Sequence, residues 1–387
     1  YDVVDVVELD VQLDSLAALI DSLMTPFHNV KPHSIDQVTY RAEIAHQLYQ
    51  KLILPVERKV RLPEKLLVVS DAMLTNLPFE MLMSAPPASP AYLPTAEPVY
   101  LSQLLLQRYS FAYAPSTSFL GKNFEAIKIR GKMLVIANAV DDYVVEPLPD
   151  FYLHASNNQF SPLPFADREA QAIKKIVKTA TVIRRNRATK NKFFDEASTQ
   201  NIIHLATHGF VDQIFDAFSS IVFAVSDDSL DNGLLSGYEI SDLDLNCSLI
   251  ALSACETGRG KAVAGEGVLG LPRLFLGAGA RTVLMTLWQV DDKFTSELMP
   301  NFYKNLLQQQ NSMQDALTNA KREIVNQKNG KYYYQHPFFW AAFCLYGYPS
   351  LPVEKNDWYQ LWFPVSALII ASLVFGLLII KRFKNKQ

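Results

Sequence analysis

Two short apolar runs each end in a residue able to do chemistry. One is Asn201-Ile-Ile-His-Leu-Ala-Thr-His208-Gly209, and the other is Ser248-Leu-Ile-Ala-Leu-Ser-Ala-Cys255-Glu256-Thr257-Gly258. A strand buried in a parallel sheet reads as a near-continuous apolar run, and open α/β sheets bind their ligands beyond the carboxyl ends of the strands. His208 and Cys255 stand at those ends. A free thiol is mostly protonated at neutral pH, so a nucleophilic cysteine needs a neighbour to take its proton. An imidazole on the next strand is such a neighbour. The pairing points to Cys255 as nucleophile and His208 as general base.

Gly209 adds to this pattern. Without a Cβ it lets the backbone approach a substrate carbonyl, and its N–H with that of Cys255 makes a candidate oxyanion hole. Taken singly, Cys255 also reads as an inert core thiol and His208 as a packed or capping histidine. The joint pattern, two apolar runs each ending in one partner and each followed by glycine, favours chemistry. His204 precedes His208 by four residues, which makes a shared metal conceivable. The glutamate of an HExxH helix and a third carboxylate ligand are missing, so no metal is assigned and no cofactor is expected. Cys247 and Cys344 lie in apolar surroundings and read as core. There is no GxSxG elbow or P-loop.

The elements that must position these residues follow from hydrophobic periodicity. Tyr40, Ile44, Leu48 and Leu52 recur at helical spacing. Strand patterns cover Leu66–Ser70, Gln107–Ala114, Lys132–Ala137, Thr181–Arg184, Asn201–Thr207, Ser220–Val225, Ser248–Ala254, Arg281–Trp288 and Trp340–Tyr346. Helical patterns cover Phe165–Thr179, Lys190–Ala197, Gly265–Gly277 (despite Pro272) and two stretches between Asp292 and Asn326. The proline-rich segment Pro86–Pro98 reads as an exposed loop. Strands alternating with helices predict an α/β fold with a mostly parallel sheet flanked by helices.

With 387 residues, 49% hydrophobic and 19% charged, the chain is long and apolar enough for a large core and is not a disordered protein. A net charge of −3 provides no field to recruit nucleic acid, and none is expected as a partner. Three cysteines make no disulfide framework. Tyr1 in first position, with no leader pattern after it, reads as the start of a fragment of a longer protein.

Residues 361–380 differ in kind. These 20 residues carry no charge, and at ~1.5 Å per residue they span ~30 Å, a bilayer core. Trp358, Tyr359 and Trp362 gather at the front edge, and Lys381, Arg382, Lys384 and Lys386 follow. This predicts a C-terminal transmembrane helix and a lipid bilayer as partner. The positive-inside rule puts the basic tail in the cytoplasm and the rest of the chain on the extracytoplasmic face, whereas a tail-anchored protein faces the other way.

Several motifs stand out: Ala206-Thr-His208-Gly209, Leu252-Ser-Ala-Cys255-Glu-Thr-Gly258, Gly265-Glu-Gly-Val-Leu-Gly-Leu-Pro-Arg273, Gly277-Ala-Gly-Ala-Arg-Thr-Val283, Leu287-Trp-Gln-Val-Asp291-Asp292 and His336-Pro-Phe-Phe-Trp340. Towards the start, Val69-Ser-Asp-Ala-Met-Leu-Thr-Asn-Leu-Pro-Phe-Glu80 and Tyr113-Ala-Pro-Ser-Thr-Ser118 join them. Together they resemble the CHAT domain, a caspase-like and separase-like cysteine protease family of clan CD, often found behind tetratricopeptide repeats. The resemblance implies a caspase–haemoglobinase-like fold, with residues 1–125 as a pseudo-caspase-like part, 126–352 as the catalytic part, and 353–387 as anchor and tail. It implies His208 as base, Cys255 as nucleophile and Gly209 as oxyanion support.

Glu256 and Thr257 depart from the caspase pattern after the cysteine, so a preference for aspartate at the cleavage site does not carry over. Trp288, Asp291, Asp292 and Glu256 are candidates for reading the substrate, and an acidic pocket favours a basic residue before the scissile bond. A helix N-cap is the other role open to Asp292. Glu266 and Arg273 are a candidate structural ion pair. The function implied is a membrane-anchored cysteine endopeptidase acting on protein or peptide substrates and regulated by an upstream sensor or repeat region. The other reading is a non-catalytic CHAT-fold scaffold at the membrane.

Overall fold

Valine, isoleucine and leucine runs flanked by polar turns become the strands of one central sheet. The computed structural model describes residues 5–28, 30, 32–70, 72–116, 132–138, 163–212, 216–226, 232–253, 262–263, 267–268, 270–327 and 332–348. Cys255, Glu256, Glu266, the boundary expected near 125 and the span 361–380 lie outside the described residues.

In chain order the strands are β1 (Lys65–Val68), β2 (Ser110–Tyr113), β3 (Met133–Ala137), β4 (Thr181–Arg184), β5 (Ile202–Ala206), β6 (Gly209–Phe210) and β7 (Ser220–Val222). They continue with β8 (Leu234–Ser236), β9 (Leu249–Leu252), β10 (Ala262–Val263), β11 (Gly267–Val268), β12 (Thr282–Thr286) and β13 (Phe343–Gly347). The helices are α1 (Leu13–Met24), α2 (Ala42–Leu52), α3 (Leu54–Lys59), α4 (Ala166–Ile176) and α5 (Lys190–Ala197). After them come α6 (Gly237–Ser241), α7 (Leu271–Gly277), α8 (Asp292–Tyr303), α9 (Met313–Val325) and α10 (Pro337–Trp340).

Eight strands form the main sheet in the order β1-β2-β13-β12-β9-β5-β3-β4. Every neighbouring pair is parallel except β12 with β13. One block (β12, β9, β5, β3, β4) therefore runs opposite to the other (β1, β2, β13), and the carboxyl ends of the first share an edge with the amino ends of the second. Every residue of β3, β5, β9, β12 and β13 is buried, so both faces of the sheet are covered, as parallel strands require. Helix α4 packs on α8 and against β3, β4 and β5, while α9 lies on β2 and α7 on β12. The fold is α/β with a mostly parallel sheet, as the alternation of patterns predicts.

Three elements differ from expectation. Helix α7 begins at Leu271, not Gly265, because Gly270 has a φ of 129° that an α-helix excludes. Pro272 then sits in the first turn, where its missing N–H has no intrahelical partner to lose. Gly267–Val268 instead pairs antiparallel with Ala262–Val263. Trp340 belongs to the short helix α10, which Pro337 starts and the His336 ring caps by accepting the Phe338 N–H at 3.2 Å, so β13 begins only at Phe343. Of the small antiparallel sheet β6-β7-β8, the Ser220–Val225 pattern anticipates only the middle strand, which ends at Val222, whereas β6 and β8 are two and three residues long and show no period. Among the described residues no helix is long and apolar enough to cross a membrane.

A buried polar cluster ties the early strands to the late ones. Lys321 of α9 places Nζ 2.6 Å from Glu80 Oε1 and donates to the Phe343 carbonyl at 2.6 Å. The Tyr113 hydroxyl donates to Glu80 Oε2 at 2.7 Å and accepts the Phe79 N–H at 2.9 Å. Burial and the adjacent Glu80 carboxylate push the Tyr113 hydroxyl well above its ordinary pKa, so it stays a donor. Removing one partner of a buried ion pair leaves an uncompensated charge, whereas replacing both with apolar groups is close to neutral. We expect Lys321→Met to lower unfolding free energy by about 3–5 kcal/mol, and the added change Glu80→Leu to restore most of it. Urea denaturation of the single and double variants checks this, and equal losses in both would show that the pair is not the source.

Candidate functional site

At the carboxyl edge of the first block, β5 and β9 run side by side. Ile202 pairs with Leu249, Ile203 with Ile250, His204 with Ala251 and Leu205 with Leu252. The Ser253 N–H extends this ladder by donating to the Leu205 carbonyl at 2.9 Å. Both strands are uninterrupted aliphatic sequence apart from His204, so register is set by packing on both faces and by the contacts of the residues just past each strand.

After Ala206 the chain leaves the sheet and is pinned to β7. The buried Thr207 hydroxyl donates to the Val222 carbonyl, and the Val222 N–H donates to the His208 carbonyl at 2.8 Å. Asn138, just past β3, donates its N–H to the Ala206 carbonyl at 3.0 Å. His208 is half-buried, and Gly209 begins β6 opposite Ile221. The small β6-β7-β8 sheet is thus what fixes the backbone that carries His208.

Behind the strand ends lies a buried polar chain. His204, with 0% of its side chain exposed, places Nε2 2.9 Å from Oε1 of Glu169 on α4, itself 1% exposed. His204 Nδ1 is 3.1 Å from the Tyr303 hydroxyl at the end of α8. Ser253 Oγ donates to the same Glu169 oxygen at 2.8 Å. Burial, then the Glu169 charge, holds the Tyr303 hydroxyl well above its ordinary pKa, so it acts as a donor. His204 is therefore engaged with Glu169 and Tyr303, and no group of three or more metal-ligating side chains occurs among the described residues.

The substrate-reading candidates sit on the segment after β12. Trp288 is 1% exposed, donates its indole N–H to the Phe338 carbonyl at 2.8 Å, and packs on Phe27 with ring centroids 5.1 Å apart. It is a core residue there, with almost no surface to offer a substrate. Asp291, not Asp292, caps α8, its Oδ1 accepting the Phe294 N–H at 2.7 Å. Asp292 Oδ2 instead accepts the N–H of Phe165, the residue preceding α4, at 2.8 Å. Burial and the charges of Glu169 and Asp291 raise the Asp292 carboxyl to about 6, against the opposing Phe165 N–H. Cys247 and Cys344 are buried thiols, as expected, and burial pushes Cys247 up to about 12 and Cys344 higher still.

Glu169, Ser253 and Tyr303 escaped the sequence reading, and His204 entered it only as a conceivable metal ligand. The signal available was faint: a histidine inside an aliphatic strand, and a glutamate on a helix whose other buried positions are mostly alanine and isoleucine.

A profile described as the CHAT domain matches residues 42–348. Human tetratricopeptide repeat protein 28 is 25% identical over 224 residues, covering 49% of this chain and 8% of that protein. The mouse protein of the same name is 32% identical over 114 residues, covering 30% of this chain and 4% of that one. The chain thus spans less than a tenth of the length of these relatives. Among solved structures, the gingipain R arginine-specific cysteine proteinase (RgpB) aligns over 88% of this chain and 75% of its own, at 11% identity and a TM-score of 0.43. The Saccharomyces cerevisiae separase–securin complex aligns over 79% of this chain and 17% of its own, at 13% identity and a TM-score of 0.42. Both scores are low, so family membership rests on the profile.

Asp292 yields a pH prediction. In the fold it keeps its proton up to about pH 6, whereas in the unfolded chain it loses it near the ordinary carboxyl value of about 4. Between those values the folded state binds more protons, so this group's contribution to stability is full at lower pH and declines as pH rises through 6. At ~1.4 kcal/mol per unit the change is about 2–3 kcal/mol. Asp292→Asn should lack that decline. Unfolding free energies measured from pH 4 to 7 check it, and parallel curves for the two proteins would refute it.

Proposed function

The chain belongs to the CHAT domain family, and on that premise we propose that it is a cysteine endopeptidase that cleaves protein substrates through Cys255 and His208. The observation that carries this reading is the β5/β9 register. Paired residues differ by 47 positions along the whole ladder, and His208 and Cys255 differ by the same 47. This equal offset supports a meeting of Cys255 and His208 beyond the ladder, which runs as far as the Ser253 N–H bond to the Leu205 carbonyl.

In this mechanism His208 takes the Cys255 proton as the thiolate attacks the scissile carbonyl carbon. The oxyanion that forms is met by backbone N–H groups at Gly209 and Cys255, worth about 3 kcal/mol of barrier for one well-placed donor. Collapse of the tetrahedral intermediate expels the amine, which receives the proton from His208, and leaves a thioester on Cys255. Water, deprotonated by His208, then attacks the thioester and releases the acid and the free thiol. Asp291 and Asp292 already accept backbone N–H groups and Trp288 is buried, so no cleavage-site preference is assigned to them.

Residues 361–380 anchor the enzyme to a bilayer in this reading, on the strength of their uncharged sequence and basic flank. The positive-inside rule favours an extracytoplasmic protease. The relatives named for tetratricopeptide repeats support a repeat region upstream that holds the enzyme inactive until a partner binds.

Detergent-solubilised protein treated with a thiol-reactive peptide electrophile should be labelled once, at Cys255, and should cleave an unfolded protein substrate. Cys255→Ala should lose both activities, His208→Ala should slow both at least 100-fold, and a chelator should leave rates within twofold. A wild type that is neither labelled nor active, or labelling that survives Cys255→Ala, would leave the non-catalytic scaffold as the better reading. For the anchor, the intact chain should float with phospholipid vesicles while a chain ending at residue 352 stays in the dense fractions. Equal flotation would exclude 361–380 as the anchor.

A further inference from the structure

We propose that Glu169 is a positioning residue that clamps the two strand ends carrying the dyad, using Ser253 and His204 as its two points of attachment. What it positions rests on the Cys255–His208 reading.

One carboxylate oxygen of Glu169 touches both strands. Ser253, at 2.8 Å, is the last described residue of the β9 ladder and lies two positions before Cys255 in sequence. His204, with Nε2 at 2.9 Å, is on β5 and lies four positions before His208. Glu169 comes from neither strand but from α4, held to α8 by packing and by the Asp292–Phe165 bond. The clamp is thus set from outside the sheet.

The Tyr303 hydroxyl lies 3.1 Å from His204 Nδ1 and Ser253 donates to Glu169, while His204 Nε2 meets the same Glu169 oxygen at 2.9 Å as a close ion-pair contact without hydrogen-bond alignment. Glu169, His204 and Tyr303 are each at most 1% exposed. A carboxylate with this little exposure is expensive to desolvate, and an apolar side chain of similar volume would fill the space at less cost. Its placement at the root of both strand ends, and not elsewhere in the sheet, is what the core alone does not require. Asp292 is the other carboxyl facing Glu169, and its Oδ2 is committed to Phe165.

If Glu169 holds the strand ends in register, loosening it lengthens the contact between thiol and imidazole, and the thiol pKa rises toward its free value of about 8.5. A role in stability alone would lower the melting temperature and leave the pH profile of a still-folded protein where it was. The measurement is the rate of alkylation of Cys255 by iodoacetamide from pH 5 to 9, read by mass spectrometry of the Cys255 peptide. Cys247 and Cys344 do not compete, being buried thiols of raised pKa.

Glu169→Gln should slow alkylation at pH 7 at least fivefold and move its inflection to higher pH. Ser253→Ala should do the same two- to threefold, and Ser253→Thr, which keeps the hydroxyl, should restore the wild-type profile. Folded Glu169→Gln and Ser253→Ala proteins with the wild-type profile would overturn the inference. Should Glu169→Gln fail to fold, the comparison of Ser253→Ala with Ser253→Thr decides alone. His208→Ala separates the two ideas. A wild-type profile insensitive to His208→Ala removes the dyad and the clamp together, whereas one sensitive to His208→Ala but not to the Glu169 and Ser253 variants removes only the clamp.

Discussion

Parallel strands β5 and β9 pair with a constant offset of 47 residues, and the arrangement of the site descends from that offset. A slip of one residue would turn His204 away from Glu169 and Ser253 away from the same carboxylate, leaving buried polar groups unpaired. Aliphatic packing alone does not discriminate well between registers in a strand buried on both faces. Polar side chains with single partners do, because each wrong register strands a donor or a charge in a low-dielectric interior. His204 interrupts an otherwise aliphatic run and thereby gives the strand a unique alignment.

The two buried polar clusters answer different needs of the same sheet. Glu80, Tyr113 and Lys321 join strands from the first third of the chain to α9 and β13 near its end, next to the one antiparallel pairing of the sheet. Glu169, His204, Ser253 and Tyr303 join strands and helices within the parallel block, at its carboxyl edge. In the first, Lys321 reaches the β13 backbone and, through Glu80, Tyr113 of β2; in the second, Glu169 reaches His204 of β5 and Ser253 just past β9. Charge is carried into the core where elements distant in sequence must be aligned, within a core that is otherwise largely aliphatic and aromatic.

Most of the sheet was legible. Runs such as Met133–Ala137, Ile202–Ala206 and Thr282–Thr286 announce buried strands by composition, and α4, α5, α8 and α9 announce themselves by helical spacing. Failures came where local signals conflict or are too short. Gly265–Gly277 has helical apolar spacing, but its glycines permit the hairpin and the φ of 129° at Gly270 that delays the helix. Segments of two or three residues, as in β6 and β8, carry no period at all, although the sheet they complete with β7 fixes the backbone beside His208. Asp291 and Asp292 are indistinguishable by sequence as caps. Only the direction in which α8 enters sends the first to its own helix and the second to Phe165.

By itself the sequence determined which residue types stand at the strand ends, the alternation that forces a parallel α/β sheet, and the motifs that place the chain in its family. It did so because apolar periodicity and short motifs are local, encoded within a few residues of one another. Tertiary structure alone decided that Glu169, 84 residues before Ser253, reaches that side chain and His204 together, that Trp288 is core, and that Asp292 is held protonated toward neutral pH. Those outcomes depend on which helix lies behind which strand and on how much water is excluded there. No local pattern carries that information, since burial and partner choice are properties of the assembled core.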